Sequence, residues 1–329
     1  MLYNRRRFIS SYVGTGIRFM LRFNFQPLRD FLAVALNELH QEQPVPQQEY
    51  FSIEKIDEIL NVINSVLASN NEKARSELSL DLNVSVLGIA TLSMVTMVID
   101  NPQETLDIFL PTNSAHPNFV LRCLLTNIVN NTIGILKLLE AGLNTPASVV
   151  LRNTLELSWL TIVIAYDEDK MKSYAGDIDH KEERKRYNQH FAAKKLVEKL
   201  AEIELKLGLD SEATNDLGKK RDHAYGYYSR IVHGSYISQL FGAFDMENQE
   251  DKKQWYIFGS VTLDTQRMIY ELNMAIFYLI TSLIRILIYK NILQKPHNQK
   301  WTQVLACYDC YSSSFFAYAR NVSHITRND

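Results

Sequence analysis

The sequence predicts an all-α protein, and three observations carry that prediction. Hydrophobic residues make up 46% of the 329 positions and charged residues 22%, which is enough apolar material for a folded core. There are only 12 glycines and 8 prolines, too few for the many tight turns of a sandwich or barrel. Apolar side chains recur at helical spacing along most of the chain. We therefore expect a multi-helix bundle of roughly ten helices.

The first 115 residues are expected to form a helical accessory region that binds a partner. Their predicted parts, in order, are two helical segments over 1–41, a polar linker with two prolines at 42–50, a helix over 52–69, a charged connection over 70–82, and an apolar stretch over 83–99. The last of these is rich in Val, Ile and Thr, so a strand competes with a helix there. Three prolines between 100 and 117 then mark the clearest boundary in the chain.

Longer helices follow that boundary, and residues 116–295 are predicted to form one helical domain. Its expected helices cover 119–141, 145–165, 167–174, 179–207, 211–232 and 263–293. Thr145 is a candidate N-cap with Pro146 at the first helical position, and Gly234 is a candidate end for the helix over 211–232. Residues 296–329 form a predicted helical tail.

Cysteine usage and the N-terminus indicate a cytoplasmic protein. Three cysteines are too few for a disulfide framework. The N-terminal arginines are not followed by an uninterrupted apolar run, which argues against a signal peptide. The apolar run from Leu272 to Tyr289 has the length of a membrane span but contains Arg285, which is costly in a bilayer. We expect a buried helix there and no membrane, with membrane association as the alternative.

The charge distribution is uneven although the whole chain carries only −2. Residues 1–29 contain six arginines and no acidic residue, so the remaining chain carries −8. Such an arm, led by Arg5, Arg6 and Arg7, can bind RNA, DNA, an acidic partner or the protein's own acidic face, and the last two are favoured. We expect a homo-oligomer or a partner protein, and RNA is the candidate nucleic acid.

The first candidate site is Arg152 with Glu156. The two residues stand four apart and share a helix face, and their neighbours are strongly apolar. Desolvation consumes most of the Coulomb gain of a buried pair, so stability alone does not explain it. The pair is either a structural salt bridge at the rim of the core or a polar pocket in which Arg152 binds an anionic group.

The second candidate site is the segment YSRIVHGS, residues 228–235. Ser229 and His233 stand four residues apart and Arg230 lies between them, so one pocket can receive all three. Histidine exchanges protons near neutral pH, which suits a general acid or base. The alternative is a histidine that only caps a helix. Tyr228 is a candidate for stacking on a nucleic-acid base, or else a core residue.

Signals for cofactors are weak. Cys307 and Cys310 form a CxxC pair, but a zinc site would need further ligands, for which His297 and His324 are the nearest histidines. We expect ordinary thiols, no metal and no cofactor. The sequence also lacks the phosphate-binding and nucleophile-elbow motifs of NTPases, Rossmann enzymes and α/β-hydrolases.

The segments LEAGLNTPASVVLRNTLELSWL and YYSRIVHGSYIS together resemble the bacterial family DUF5677, over roughly residues 119–290. The resemblance implies a helical domain similar to HEPN domains, many of which are metal-independent RNases of toxin–antitoxin and anti-phage systems. Their signature is R-x4-6-H on one helix, often completed across a dimer. Arg230 and His233 have two residues between them, and Arg320 and His324 have three, so neither pair has that spacing.

These observations predict a component or effector of a bacterial defence or toxin-like system. In the catalytic form of the hypothesis, His233 moves a proton on the ribose or the leaving oxygen, and Arg152 or Arg230 stabilises charge on phosphorus. Glu156 and Ser229 complete that site. The alternative is a non-catalytic helical module that binds a protein or a nucleic acid.

Overall fold

The structure, a computed structural model, describes residues 53–99, 117–175, 180–234, 259–290 and 299–322. Within these ranges every regular element is an α-helix and no strand occurs, so the predicted all-α bundle is confirmed. The helices, in chain order, are α1 (Ile53–Glu77), α2 (Ser79–Ile99), α3 (Pro117–Glu140), α4 (Asn144–Tyr166), α5 (Glu168–Ala175), α6 (His180–His190), α7 (Ala193–Lys206), α8 (Ser211–Val232), α9 (Leu263–Tyr289) and α10 (Gln299–Val322). The predicted segments over 1–41, 42–50 and 100–116 lie outside the described residues.

The predicted connection over 70–82 is wrong, because helix continues almost without interruption from α1 into α2. Leu78 separates them, and its N–H donates to the carbonyl oxygen of Ala74 at 2.8 Å. The N–H of Leu82 in turn donates to the Leu78 oxygen at 3.0 Å. The apolar stretch over 83–99 is helical, since its buried face packs on other helices and no strand partner lies beside it in the described chain.

The predicted long helix over 179–207 is two helices, α6 and α7. The break falls at Phe191, whose side chain is buried and packs edge-on against Tyr174, with ring centroids 5.6 Å apart. Ala192 follows with extended backbone (φ −57°, ψ 144°) before α7 begins. The helix is therefore interrupted where the ring of Phe191 is buried. The spacing of polar and apolar residues along 179–207 does not indicate this interruption.

The predicted cap at Thr145 is also wrong, because α4 begins at Asn144 and its N-cap residue makes no side-chain bond. Asn144 instead ties the start of α4 to the start of α9. Its Nδ2 donates to Thr262 Oγ1 at 3.3 Å, and Thr265 Oγ1 donates to its Oδ1 at 2.9 Å. Thr262 and Thr265 also form a capping box at the start of α9.

The chain divides into two compact units, residues 1–73 and residues 74–329, and the division falls inside α1. In the first unit the described residues are 53–73, where Asn71 Nδ2 donates to the Leu67 oxygen at 2.7 Å. In the second unit α4 is central and packs against α3, α5, α7, α8 and α9, while α2 packs against α3, α9 and α10. This division differs from the predicted boundary after residue 115, because the apolar face of α2 is buried among later helices.

A buried polar network joins α2, α9 and α10. The Asp81 carboxylate, 4% exposed, accepts from the Tyr318 hydroxyl at 2.8 Å and from Gln266 Nε2 at 3.4 Å. Asn273 Nδ2 donates to the Asp81 backbone oxygen at 3.3 Å, and the Tyr311 hydroxyl donates to the Asn273 backbone oxygen at 3.2 Å. The predicted C-terminal tail is thus connected to the core through its tyrosines.

Four of the described helices are long and apolar enough to cross a membrane: α2, residues 119–140 of α3, α4 and α9. Between 44% and 67% of each apolar window is buried inside the bundle. Length and composition are the same for a membrane span and for a central bundle helix, so these values fit both. The run from Leu272 to Tyr289 belongs to α9.

Candidate functional site

Arg152 and Glu156 lie on one face of α4, as their spacing predicts, and form an ion pair. Arg152 Nη2 lies 3.1 Å from Glu156 Oε1. The two side chains are 20% and 23% exposed, which places them between the core and the surface. A pair at this depth is partly screened by water and keeps some access to solvent.

Tyr225 on α8 completes the environment of Arg152. Its hydroxyl accepts a hydrogen bond from Arg152 Nη2 at 2.9 Å, and the guanidinium carbon lies 5.1 Å from the ring centroid. The same ring packs on Trp159 of α4, with centroids 6.0 Å apart. Arg152 is therefore a link between α4 and α8, made by charge, hydrogen bonding and cation–π contact together.

Tyr187 on α6 lies near this link. Burial raises the pKa of its phenol, and the nearby Glu156 carboxylate raises it further, while Arg152 lowers it. The phenol is therefore neutral at physiological pH. We refer to Arg152, Glu156, Tyr187 and Tyr225 as the arginine cluster.

The predicted second site lies at the C-terminal end of α8. His233 is the C-cap residue; its N–H donates to the Ser229 backbone oxygen at 3.0 Å, and its side chain is exposed. Gly234 ends the helix with φ 66°, a left-handed conformation that favours glycine, so its predicted role is confirmed. Arg230 is exposed and donates from Nε to the Gly226 oxygen at 3.3 Å, and Ser229 is half-buried.

The structure places His233 well beyond the residue of α8 that binds Arg152. Tyr225, which binds Arg152, precedes His233 by eight residues, which is about 12 Å along a helix axis. Helical side chains lean towards the N-terminus of their helix, so the Tyr225 hydroxyl points away from His233. Within one chain, Arg152 and Glu156 form one group, and Ser229, Arg230 and His233 form another.

Tyr228 has no exposed ring face on which a base could stack. Its side chain is fully buried, with its ring edge-on to Tyr227 at 5.1 Å between centroids. Burial raises the pKa of its hydroxyl well above the usual value, and the adjacent Glu271 carboxylate adds to that effect. The sequence makes Tyr228 a candidate either for stacking on a base or for a place in the core, and its burial allows only the place in the core. Arg5, Arg6 and Arg7 lie outside the described residues.

Within the described ranges no group of three or more His, Cys, Asp and Glu side chains could hold a metal ion. Cys307 and Cys310 are free thiols, as is Cys123. Burial raises the pKa of Cys123 and of Cys307, so neither thiol is activated as a thiolate. His297 and His324 lie outside the described residues.

One buried polar cluster has no counterpart in the sequence reasoning. Arg221 of α8 forms a two-point ion pair with Glu204 of α7, and Tyr278 of α9 donates to the same carboxylate. Arg221 and Glu204 are only 7% and 3% exposed. The available signal was the position of Glu204 on the apolar stripe of α7, four residues after Leu200, where a charged side chain needs a partner.

No family model matches the chain, and neither a curated protein nor a solved structure matches it significantly. The function is therefore argued from the geometry of the two sites.

Proposed function

We propose that the chain is a non-catalytic helical interaction module of a bacterial defence or toxin-like system. The observation that carries the proposal is the state of Arg152, which is bound to Glu156 and Tyr225. In this proposal the contact between Arg152 and Tyr225 holds α4 and α8 together. The defence setting rests on the resemblance to DUF5677, and a cytoplasmic location is part of the same proposal.

The engagement of Arg152 favours this function over phosphoryl chemistry. An arginine that stabilises charge on phosphorus must direct its N–H donors at the substrate in the transition state. Arg152 Nη2 is already shared between a carboxylate and a phenol, and Nε, which has no hydrogen-bond partner, is buried. Redirecting it would leave the Glu156 charge unpaired at a site that is about three-quarters buried, a cost that opposes catalysis.

A metal-independent RNase is the second candidate, because His233 and Arg230 are both exposed at the end of α8. Exposed side chains at a helix end can meet a second copy of the chain, and HEPN domains, to which the resemblance points, often complete their site across a dimer. His233 would then move the proton, and Arg230 or Arg152 of either copy would stabilise the charge on phosphorus. This candidate requires a homodimer, whereas the interaction module also works with a different partner protein.

Cleavage of total RNA in the presence of a chelator tests both functions. The purified full chain is compared with His233→Ala, Arg230→Ala and Arg152→Ala, with Arg184→Ala, an exposed α6 arginine, as the matched control. We expect no cleavage by any protein, together with a loss of stability for Arg152→Ala alone. Cleavage that is retained in Arg184→Ala but lost in folded His233→Ala would refute the module and establish the RNase. Light scattering on the same samples gives the oligomeric state.

A further inference from the structure

A cavity of about 520 Å³ lies between α4, α8 and α9. It adjoins the arginine cluster, because Trp159 lines the cavity and packs on Tyr225, but no residue of the cluster lines it. Its size falls in the range of small-molecule sites in helical bundles. The floor is apolar: Leu155 and Trp159 come from α4, and Met274 and Ala275 from α9. Leu155 and Trp159 are 7% and 3% exposed, so they belong to the core as well as to the cavity.

The wall formed by α8 and the adjoining part of α9 is basic. Lys219, Lys220, Arg221, His223 and Arg267 all line the cavity, against a single acidic residue on α9. Lys219, Lys220 and His223 are exposed, so the basic groups lie where the cavity meets solvent. The cavity therefore has an apolar interior and a cationic mouth.

The ion pairs at the mouth show which cation is available to a ligand. Arg267 Nε lies 3.4 Å from Glu271 Oε1, and Arg267 Nη2 lies 3.2 Å from His223 Nε2. Lys219 lies 3.6 Å from Asp216. Lys220 makes no ion pair with any described residue, so its ammonium group is the one that an incoming anion can bind without displacing a partner.

The interior of the cavity determines which class of ligand can bind there. Recognition of a nucleobase or sugar requires free hydrogen-bonding groups, because a buried polar atom without a partner is costly. The buried polar groups of the wall offer such a ligand little: the Arg221 guanidinium binds Glu204 and Tyr278 through its Nη atoms, and Glu271 Oε1 binds Arg267. Arg221 Nε and Glu271 Oε2 have no hydrogen-bond partner, but both atoms are themselves buried. An aliphatic chain makes no such demand and gains free energy from every methylene group that it buries.

We infer that this cavity is a binding site for a fatty-acid-like ligand, whose carboxylate binds Lys220 while its acyl chain lies over Leu155, Trp159 and Met274. The inference goes beyond the proposed function and is independent of it, since neither the arginine cluster nor His233 takes part. The two can therefore fail separately.

Calorimetric titration of the full, delipidated chain with decanoate tests the inference, at concentrations below micelle formation and with decan-1-ol as the uncharged ligand. We expect one decanoate per chain and binding of the alcohol at least about tenfold weaker, since a charge-assisted bond is lost. Lys220→Gln should weaken decanoate about tenfold and leave the alcohol unchanged. Lys194→Gln, an exposed α7 lysine outside the cavity, is the matched control and should bind as the wild type does.

Ala224→Phe tests the interior, because Ala224 lines the cavity and a phenyl group would occupy part of it. We expect loss of both ligands, with circular dichroism confirming the helical fold. Should that variant misfold, Lys220→Gln still decides, since it changes only an exposed side chain. Two results would overturn the inference: wild type that binds no decanoate, or equal affinities of Lys220→Gln and Lys194→Gln for decanoate.

Discussion

Removing the carboxylate of Glu204 should be among the most destabilising single changes in this protein. Glu204→Leu leaves the Arg221 guanidinium 93% buried with only the Tyr278 hydroxyl as a partner, because Arg221 is 7% exposed and binds just these two side chains. Arginine stays charged at any accessible pH, so it has no way to neutralise itself. Breaking a buried pair in this manner costs about 3–5 kcal/mol, a large share of the stability of about 5–15 kcal/mol that is typical of a folded protein.

The double variant Glu204→Leu/Arg221→Met should recover most of that loss. Both charges are then gone and the new side chains are apolar and similar in length, so desolvation no longer opposes folding. Arg221→Met alone should cost less than Glu204→Leu, because a stranded carboxyl can take up a proton. The double-mutant cycle should therefore give a coupling of about 2 kcal/mol or more.

Urea denaturation followed by circular dichroism measures all four proteins. The exposed pair Lys195–Glu198, with side chains 55% and 51% exposed, is the matched control and should give a coupling of about 0.5 kcal/mol. If Glu204→Leu costs less than about 1 kcal/mol, water or another group relieves Arg221 and the reasoning from burial is refuted.

Three further predictions concern other parts of the bundle. Burial raises the pKa of Tyr278, Tyr311 and Tyr318, so their phenols stay neutral in the fold but ionise near pH 10 once unfolded. Their contribution to the free energy of unfolding should be constant below about pH 10 and fall above it by about 1.4 kcal/mol per pH unit for each tyrosine. Denaturation of the wild type and of Tyr311→Phe at several alkaline pH values checks this, and equal slopes for the two proteins above about pH 10 would contradict it. Gly259→Ala should lower the free energy of unfolding by about 2 kcal/mol or more, because φ is 81° at this residue and a Cβ would lie 2.3 Å from the carbonyl oxygen of Gly142, in the turn between α3 and α4. Thermal unfolding measures this, and an unchanged melting temperature would contradict the geometry. Tyr225→Phe should cost about 1 kcal/mol, since it removes one hydrogen bond to Arg152 and keeps the ring contact; a cost as large as that of Tyr225→Ala would show that the hydrogen bond is the main contribution.

The fold class and most helices follow from the sequence because helical periodicity and scarce turn residues are local properties. The errors fall where a distant contact decides the local structure. Phe191 ends α6 because its ring packs on Tyr174, and Asn144 begins α4 because it bonds to residues more than a hundred positions later. Neither contact has a local signature.

The candidate sites show the same difference between local spacing and contacts of distant residues. The pairing of Arg152 with Glu156 depends only on a four-residue spacing, which the helix guarantees. The partnership of Arg152 with Tyr225 spans 73 positions and depends on how α4 packs against α8. Whether Arg152 and His233 lie in one pocket depends on the same packing of α4 against α8. The spacing of residues along a single helix does not specify that packing.

The hydrogen bond from Tyr318 to Asp81 has a consequence for the order in which the chain assembles. The two residues are 237 positions apart, so a ribosome that adds about 5–20 residues per second needs roughly 12–50 seconds between them. Throughout that interval the nascent α2 carries a carboxylate that will be buried but has not yet met its last helix. Packing of α2 into the core is therefore expected to finish only after α10 has left the ribosome, and a chaperone that shields α2 until then would act during that interval.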